Sequence, residues 1–548
     1  SGSGREIGGA GALASGCDCG GAPIVMPDGS MPPPMCSTGC MPASPPGDNT
    51  GSICCESSNM CVDYDLTMLC PAGSTCAVTA VAVDPTSCAV TCSNCMAQPA
   101  LEEGQLATYL DFALDETGSS AVISGYSPGY STRSSQRLYG DLVVGQWNGT
   151  EVTWDVVDGA PSEPVTNDPA GWRGGVSAPG DDVGRWTSIA RRGTEYVIAY
   201  YDLTNGALKV AIGSPGSWTT HTVDDQDDSG RYASLVLLAD GTPVISYLRI
   251  GLDSAAPTQV LSSVQVARAS SPSPTGPTSW TITEVASAPM ACRQEYCGAG
   301  TSCIEEGQCI TPTSDCSSAC ASDETCFNGS CRTAIPEGYV EDMPPAMGLY
   351  TSLAATSSGL ALVYYDRSTG NLMGAAFDGT AWGTPFLIDG YGRNDPNVGD
   401  SGQGANLFVD SSDAWHVAYI DGAEETLRYA TIVGGAVMTR EVVDDGSTSD
   451  GTTRHADGRH IVGDDASIVV TESGQVRIAY QDATAHTGVV ATRPGGGGPW
   501  SIQVFDAEAY TGYWIEQQLL GTTSYVLRWW RDRDGRNTSN GVRISTVN

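Results

Sequence analysis

The chain has 548 residues, with 63 Asp+Glu against 26 Lys+Arg and a formal charge of −37. A surface of that sign repels phosphate backbones, which argues against nucleic acid as a partner. No apolar run approaches the roughly 18 residues of a membrane-spanning helix, so the chain is not read as membrane-spanning. Only 16% of residues are charged, and Lys209 is the single lysine, so the imbalance reflects missing bases rather than acidic blocks.

Residues 1–100 form a Gly/Pro/Cys-rich region, with runs such as Met31-Pro32-Pro33-Pro34 and Pro45-Pro46-Gly47. Residues 1–50 cannot bury a core of their own and are read as an extended tail. That tail is expected to contact the rest of the chain, a second copy or another surface protein. Twelve cysteines follow each other here: Cys17, Cys19, Cys36, Cys40, Cys54, Cys55, Cys61, Cys70, Cys76, Cys88, Cys92 and Cys95. Eight more lie within an insertion at 290–333: Cys292, Cys297, Cys303, Cys309, Cys316, Cys320, Cys326 and Cys331. The second group reads as one four-cysteine unit copied twice. Both counts are even, and no histidine stands nearby at zinc-ligand spacing. Disulfides are therefore expected throughout, in a chain exported to an oxidising compartment. Residues 1–16 lack an apolar signal core, so the signal sequence is taken as already removed.

From 101 to 548 one pattern recurs. Its clearest copy runs Gly184-Arg185-Trp186-Thr187-Ser188-Ile189, then Tyr200-Tyr201-Asp202 before a turn, and closes with Trp218 to Asp224. Copies begin near residues 105, 183, 229, 347, 402, 464 and 512. Four short strands at a period near 50 predict an all-β fold, a seven-bladed β-propeller of four-stranded blades. The last copy has only three strands, and the segment Thr75 to Val83 is the candidate to close it. The elements Tyr-Tyr-Asp-x-x-x-Gly and Trp-x-x-x-x-Val-Asp resemble those of bacterial secreted β-propellers, loosely of the sialidase-like kind. The resemblance implies the fold and a place outside the cell or on a bacterial surface. Asp378-Gly379-Thr380-Ala381-Trp382 matches only part of the sialidase Asp-box.

Propeller topology puts the second-to-third turns and the blade-to-blade connections on one face. The insertions and the acidic pairs fall there, which marks it as the face for partner contact. The aspartates that end second strands are expected to cap their own turns. Asp227, Asp228, Asp464, Asp465, Asp532 and Asp534 are the candidate ligands for a metal, Ca²⁺ being the cation suited to all-oxygen sites. No catalytic motif of the Gly-x-Ser-x-Gly, HExxH or phosphate-loop kind appears. Arg185 and Arg231 find no third counterpart, that position being Leu349. The expectation is therefore a non-enzymatic extracellular structural or adhesive protein, a subunit of a surface assembly or filament. The alternatives are a Ca²⁺-dependent glycan- or protein-binding propeller and a sialidase-like glycoside hydrolase.

Overall fold

The computed structural model describes residues 50–55, 60–66, 68–70, 74–76, 80–97, 107–128, 140–159, 180–335, 343–391, 399–447, 459–532 and 540–547. No helix among them is long and apolar enough to cross a membrane. The chain divides into two compact units: residues 1–100 with 160–180, and residues 101–159 with 181–548.

In the first unit, short antiparallel ladders pair Thr50–Cys55 with Met60–Asp65, Ser74–Cys76 with Cys95–Ala97, and Val81–Val83 with Val90–Cys92. Tyr64, Leu66 and Cys76 are the buried centre of a small apolar cluster. So few apolar groups stabilise little on their own, and covalent links make up the difference. Cys55–Cys88, Cys70–Cys95 and Cys76–Cys92 are bonded. Cys17, Cys19, Cys36 and Cys40 lie outside the described residues, as does the tail at 1–49. The strands between 74 and 83 pair within this unit, so the expectation that Thr75 to Val83 completes the last blade is corrected.

The second unit is the seven-bladed propeller. The first strands of its blades are Thr108–Leu114, Val183–Arg192, Asp228–Leu237, Met347–Ala355, Ser401–Val409, Val462–Val470 and Tyr510–Leu520. Six blades have four antiparallel strands. The seventh has three, ending in Asn540–Val547. Each first strand packs on the first strands of its neighbours, and the last packs on the first, so the seven line a central axis.

The recurring Tyr-Tyr-Asp is explained by the alternation of side chains along a strand. The first tyrosine reaches back to the aspartate closing the preceding blade: Tyr200 to Asp158, Tyr247 to Asp224, Tyr419 to Asp389 and Tyr480 to Asp444 each donate at 2.6 Å. The second tyrosine points the other way, to the aspartate that opens the next blade. Tyr201 donates to Asp228 at 2.6 Å, and Tyr365 donates to Asp400. The final aspartate caps its own turn, as expected: Asp202 accepts Asn205 N–H at 2.9 Å and Asp482 accepts Ala485 N–H at 2.8 Å.

The insertion is stapled as two copies of one unit. Cys292–Cys303 and Cys297–Cys309 form the first, Cys316–Cys326 and Cys320–Cys331 the second, each joining first to third and second to fourth cysteine. Seven disulfides among the described residues are the mark of an exported protein.

Candidate functional site

The acidic pairs between blades are only half solvated, with Asp181, Asp225 and Asp227 exposed and their neighbours held in the fold. Asp182, Asp224 and Asp444 are buried, and with the half-buried Asp228 they accept the tyrosines that lock blade to blade. Arg185 lies 3.4 Å from Asp182, and Arg231 lies 3.1 Å from Asp228. The two arginines are thus matched within the fold rather than free to clamp an acidic sugar. Of the sequence-predicted ligands, Asp227 and Asp228 sit at the joint of blades 2 and 3, Asp464 and Asp465 at the start of blade 6, and Asp532 just past the second strand of blade 7. Asp534 lies outside the described residues. The structure leaves these positions in three separate places, and only Asp465 joins the constellation around the axis.

That constellation follows from a bulge shared by all the first strands. In blade 2, Arg185 faces Tyr201 and Ser188 faces Ala199, so three residues advance against two and one is extra. The extra residue takes a left-handed conformation, which aims its side chain out of the ladder. At this position stand Tyr109, Trp186, Tyr232, Tyr350, Asp465 and Trp514, with φ between 47° and 55°, and Gly404 in blade 5 with φ 58°. Five of the seven are aromatic, and on consecutive blades they touch. Ring centroids are 5.8 Å apart from Trp514 to Tyr109, 5.1 Å to Trp186, 5.0 Å to Tyr232 and 4.8 Å to Tyr350. An aromatic arc therefore runs round blades 7, 1, 2, 3 and 4, broken by Gly404 and Asp465. Tyr296, inside the first disulfide unit, and Met343, beyond the second, pack on the same apolar cluster as Trp186, Tyr232 and Tyr350.

Two residues further along each first strand is a polar side chain that ties the ring together. Ser188, Ser234, Ser352, Asn406 and Ser467 each accept a backbone N–H from the following blade, at 3.0–3.1 Å. Asp111 does the same for Ile189 N–H at 2.8 Å. The seventh position holds Glu516, and there the series stops. Phe112 N–H, the donor Glu516 would take, turns to Asp111 Oδ1 at 2.7 Å. Blades 7 and 1 are joined instead by Gln518, which accepts Leu114 N–H at 3.0 Å and donates to Phe112 O.

Glu516 is thus a carboxyl on the axis that the ring does not need. Its Oε2 accepts from Ser467 Oγ at 3.2 Å. Burial, then the neighbouring Asp111, then Asp465 push it well above the usual carboxylate range, against the single hydrogen bond that favours ionisation. Asp111 is also raised by burial, but Ile189 N–H, Phe112 N–H and Ser188 Oγ all favour its charged form. Asp465 is pushed up to about 7 by burial, opposed by Trp514 N–H and reinforced by Asp464. All three side chains stay half-buried. One proton-holding carboxyl beside a partner whose charged form more donors favour is an acid/base pair. The broad cleft between blades 3 and 4 has no such pair; Asp240 is the one carboxylate lining it among the described residues.

No family model and no curated protein matches the chain. Solved structures do. An α-L-arabinofuranosidase from Lactobacillus brevis aligns at 10% identity over 66% of this chain and 89% of its own, with a TM-score of 0.29. The polysaccharide lyase Uly1 aligns at 9% identity over 66% and 80%, TM-score 0.35. A prolyl endopeptidase aligns at 10% identity over 81% of this chain, TM-score 0.37, and the chain spans about half of that protein's length. These neighbours are enzymes, mostly acting on glycans, and the expectation of a non-enzymatic structural or adhesive subunit is corrected accordingly. Similarity at this level says nothing of the reaction of this chain; its own axial carboxyls must carry that case.

Proposed function

We propose that this exported propeller is a carbohydrate-active enzyme, a glycoside hydrolase working from the central axis at a bacterial surface or in the surrounding medium. The observation that carries the reading is Glu516: a half-buried carboxyl beside Asp111, at the one belt position that makes no link to the next blade. Glycoside hydrolysis needs one carboxylic acid to protonate the leaving oxygen and one carboxylate on the other side of the bond. Glu516, with one donor, is suited to hold the proton. Asp111, with three donors set against its burial, is the one of the two that ionises first. The aromatic arc above them offers ring faces on which sugar rings stack.

Release of reducing ends from a panel of polysaccharides and aryl glycosides tests the reading. Glu516→Gln is expected to lower the rate by at least about 100-fold, the usual scale of a general acid, with the fold checked by circular dichroism. A wild-type protein that cleaves none of the panel, or a Glu516→Gln variant that cleaves as fast, defeats it.

A further inference from the structure

The axis carries a second message, about the charge of what it takes. Tyr109, Trp186, Tyr350 and Trp514 are half-buried ring faces on adjoining blades, while Tyr232 lies deeper between two of them. The break in their arc is filled by Asp465 on one blade and left open by Gly404 on the next. Asp464 sits beside Asp465, and Asp111 and Glu516 line the next layer. The two nearby arginines are each paired with their own aspartate, and Arg231 itself lies over the Trp186 ring, 5.7 Å from its centroid, a contact of the kind a ligand cation would make with the other rings. Ring faces present negative charge to a ligand, and a carboxylate completing such a ring of aromatics makes a cage for an organic cation.

We infer that the axial aromatic arc, completed by Asp465, binds a protonated amine, so that the glycan recognised carries free rather than acetylated amino groups. The inference rests on the glycosidase reading for the word glycan and on the arc itself for the word amine. An N-acetyl group or a sugar carboxylate loses the cation. The sugar acid would also meet the carboxyls of Asp465 and Asp111, a like-charge contact wherever these are ionised. The net charge of −37 acts in the same direction at longer range, concentrating cationic chains near the protein and repelling acidic ones.

The test is binding rather than turnover, measured by calorimetry on the intact Glu516→Gln protein. Its ligands are the hexamer of glucosamine and the hexamer of N-acetylglucosamine, at pH 7, where the amines and the Asp465 carboxyl are both partly ionised. Tighter binding of the free amine by roughly tenfold or more is expected, the scale of a desolvated cation–π contact. Asp465→Asn keeps the side-chain oxygen that accepts Trp514 N–H, and should erase most of that preference. Trp186→Phe, a smaller face on the same arc, should weaken the amine hexamer several-fold. Equal affinity for the two hexamers, tighter binding of the acetylated one, or no binding of either overturns the inference. Hydrolysis of neutral glycans without any amine preference would sink this inference while leaving the glycosidase reading intact. Amine-selective binding without hydrolysis would do the reverse.

Discussion

Replacing Asp465 by asparagine should make the propeller more stable at neutral pH, with a pH dependence that identifies the cause. The substitution keeps size and the acceptor for Trp514 N–H, 2.8 Å away, and removes only the charge. The carboxyl is raised from 3.8 to about 7 by burial. Three units correspond to about 4 kcal/mol at ~1.36 kcal/mol per unit, and solvent reaching the half-buried side chain reduces this to about 2 kcal/mol. Below pH 4 the group is protonated whether the chain is folded or not, and the two proteins should be equally stable. Between pH 4 and 7 the folded state keeps a proton that the unfolded state has released, so wild-type stability falls as pH rises. Above 7 the loss is complete, and the variant keeps its full advantage. Urea midpoints followed by tryptophan fluorescence from pH 4 to 8 measure the difference; midpoints are the appropriate quantity for a chain of two units. Parallel pH curves for the two proteins would refute the reasoning. So would a variant less stable at pH 8, because the ionised carboxylate would then be a favourable part of the fold.

Other expectations concern the seams and staples. Tyr480→Phe leaves the buried Asp444 with the N–H of Gly446 but without the tyrosine, and should destabilise by ~1.5–3 kcal/mol; an unchanged midpoint would deny the blade-locking role. Combined with Asp444→Asn, its loss should fall short of the sum of the two single losses, as for any contacting pair. Gln518→Ala should open the joint of blades 7 and 1 first, seen as faster amide exchange at Leu114 than at Leu235 or Leu353. Non-reducing peptide mapping should recover Cys292–Cys303, Cys297–Cys309, Cys316–Cys326 and Cys320–Cys331, and any bridge between the two units would contradict the repeated-staple description.

The propeller was legible because its landmarks are also its fasteners. Tyr-Tyr-Asp and the aspartate after the fourth strand recur because four of the seams between neighbouring blades use both halves of the same hydrogen bond. The doubled cysteine unit was legible for a similar reason, two copies of one spacing giving two copies of one pairing. The axial site was not, since it lies where the repeat departs from itself. Gly-x-aromatic-x-Ser can be read from Gly184, Gly230 and the neighbourhood of Gly348, and attention falls on its arginines and aromatics. The informative position is the serine, replaced by Asp111 in blade 1, where Ala107 also stands for the glycine, and by Glu516 in blade 7, where Gly512-Tyr513-Trp514 otherwise keeps the motif. Aligning all seven first strands on the extra bulge residue would have exposed the substitution. The closing strand was misjudged because β-rich residues near 75–83 satisfy their pairing locally, among cysteines that hold them there.

The joint between the last blade and the first sets the order of assembly. The six belt links join residues 47 to 119 positions apart, so each can form once the next blade is made. The contact of Gln518 with Leu114 spans 404 positions, and closing a loop of that length costs about 5 kcal/mol of chain entropy. Until the seventh blade is made, Phe112 and Val143 on the first blade and Ala479 and Val490 on the sixth have no partner blade, although all four are buried in the closed ring. A nascent chain halted anywhere before the seventh blade is thus an open crescent with two greasy ends, and a protease or chaperone outside the cytoplasm can tell it from a finished ring by that feature alone.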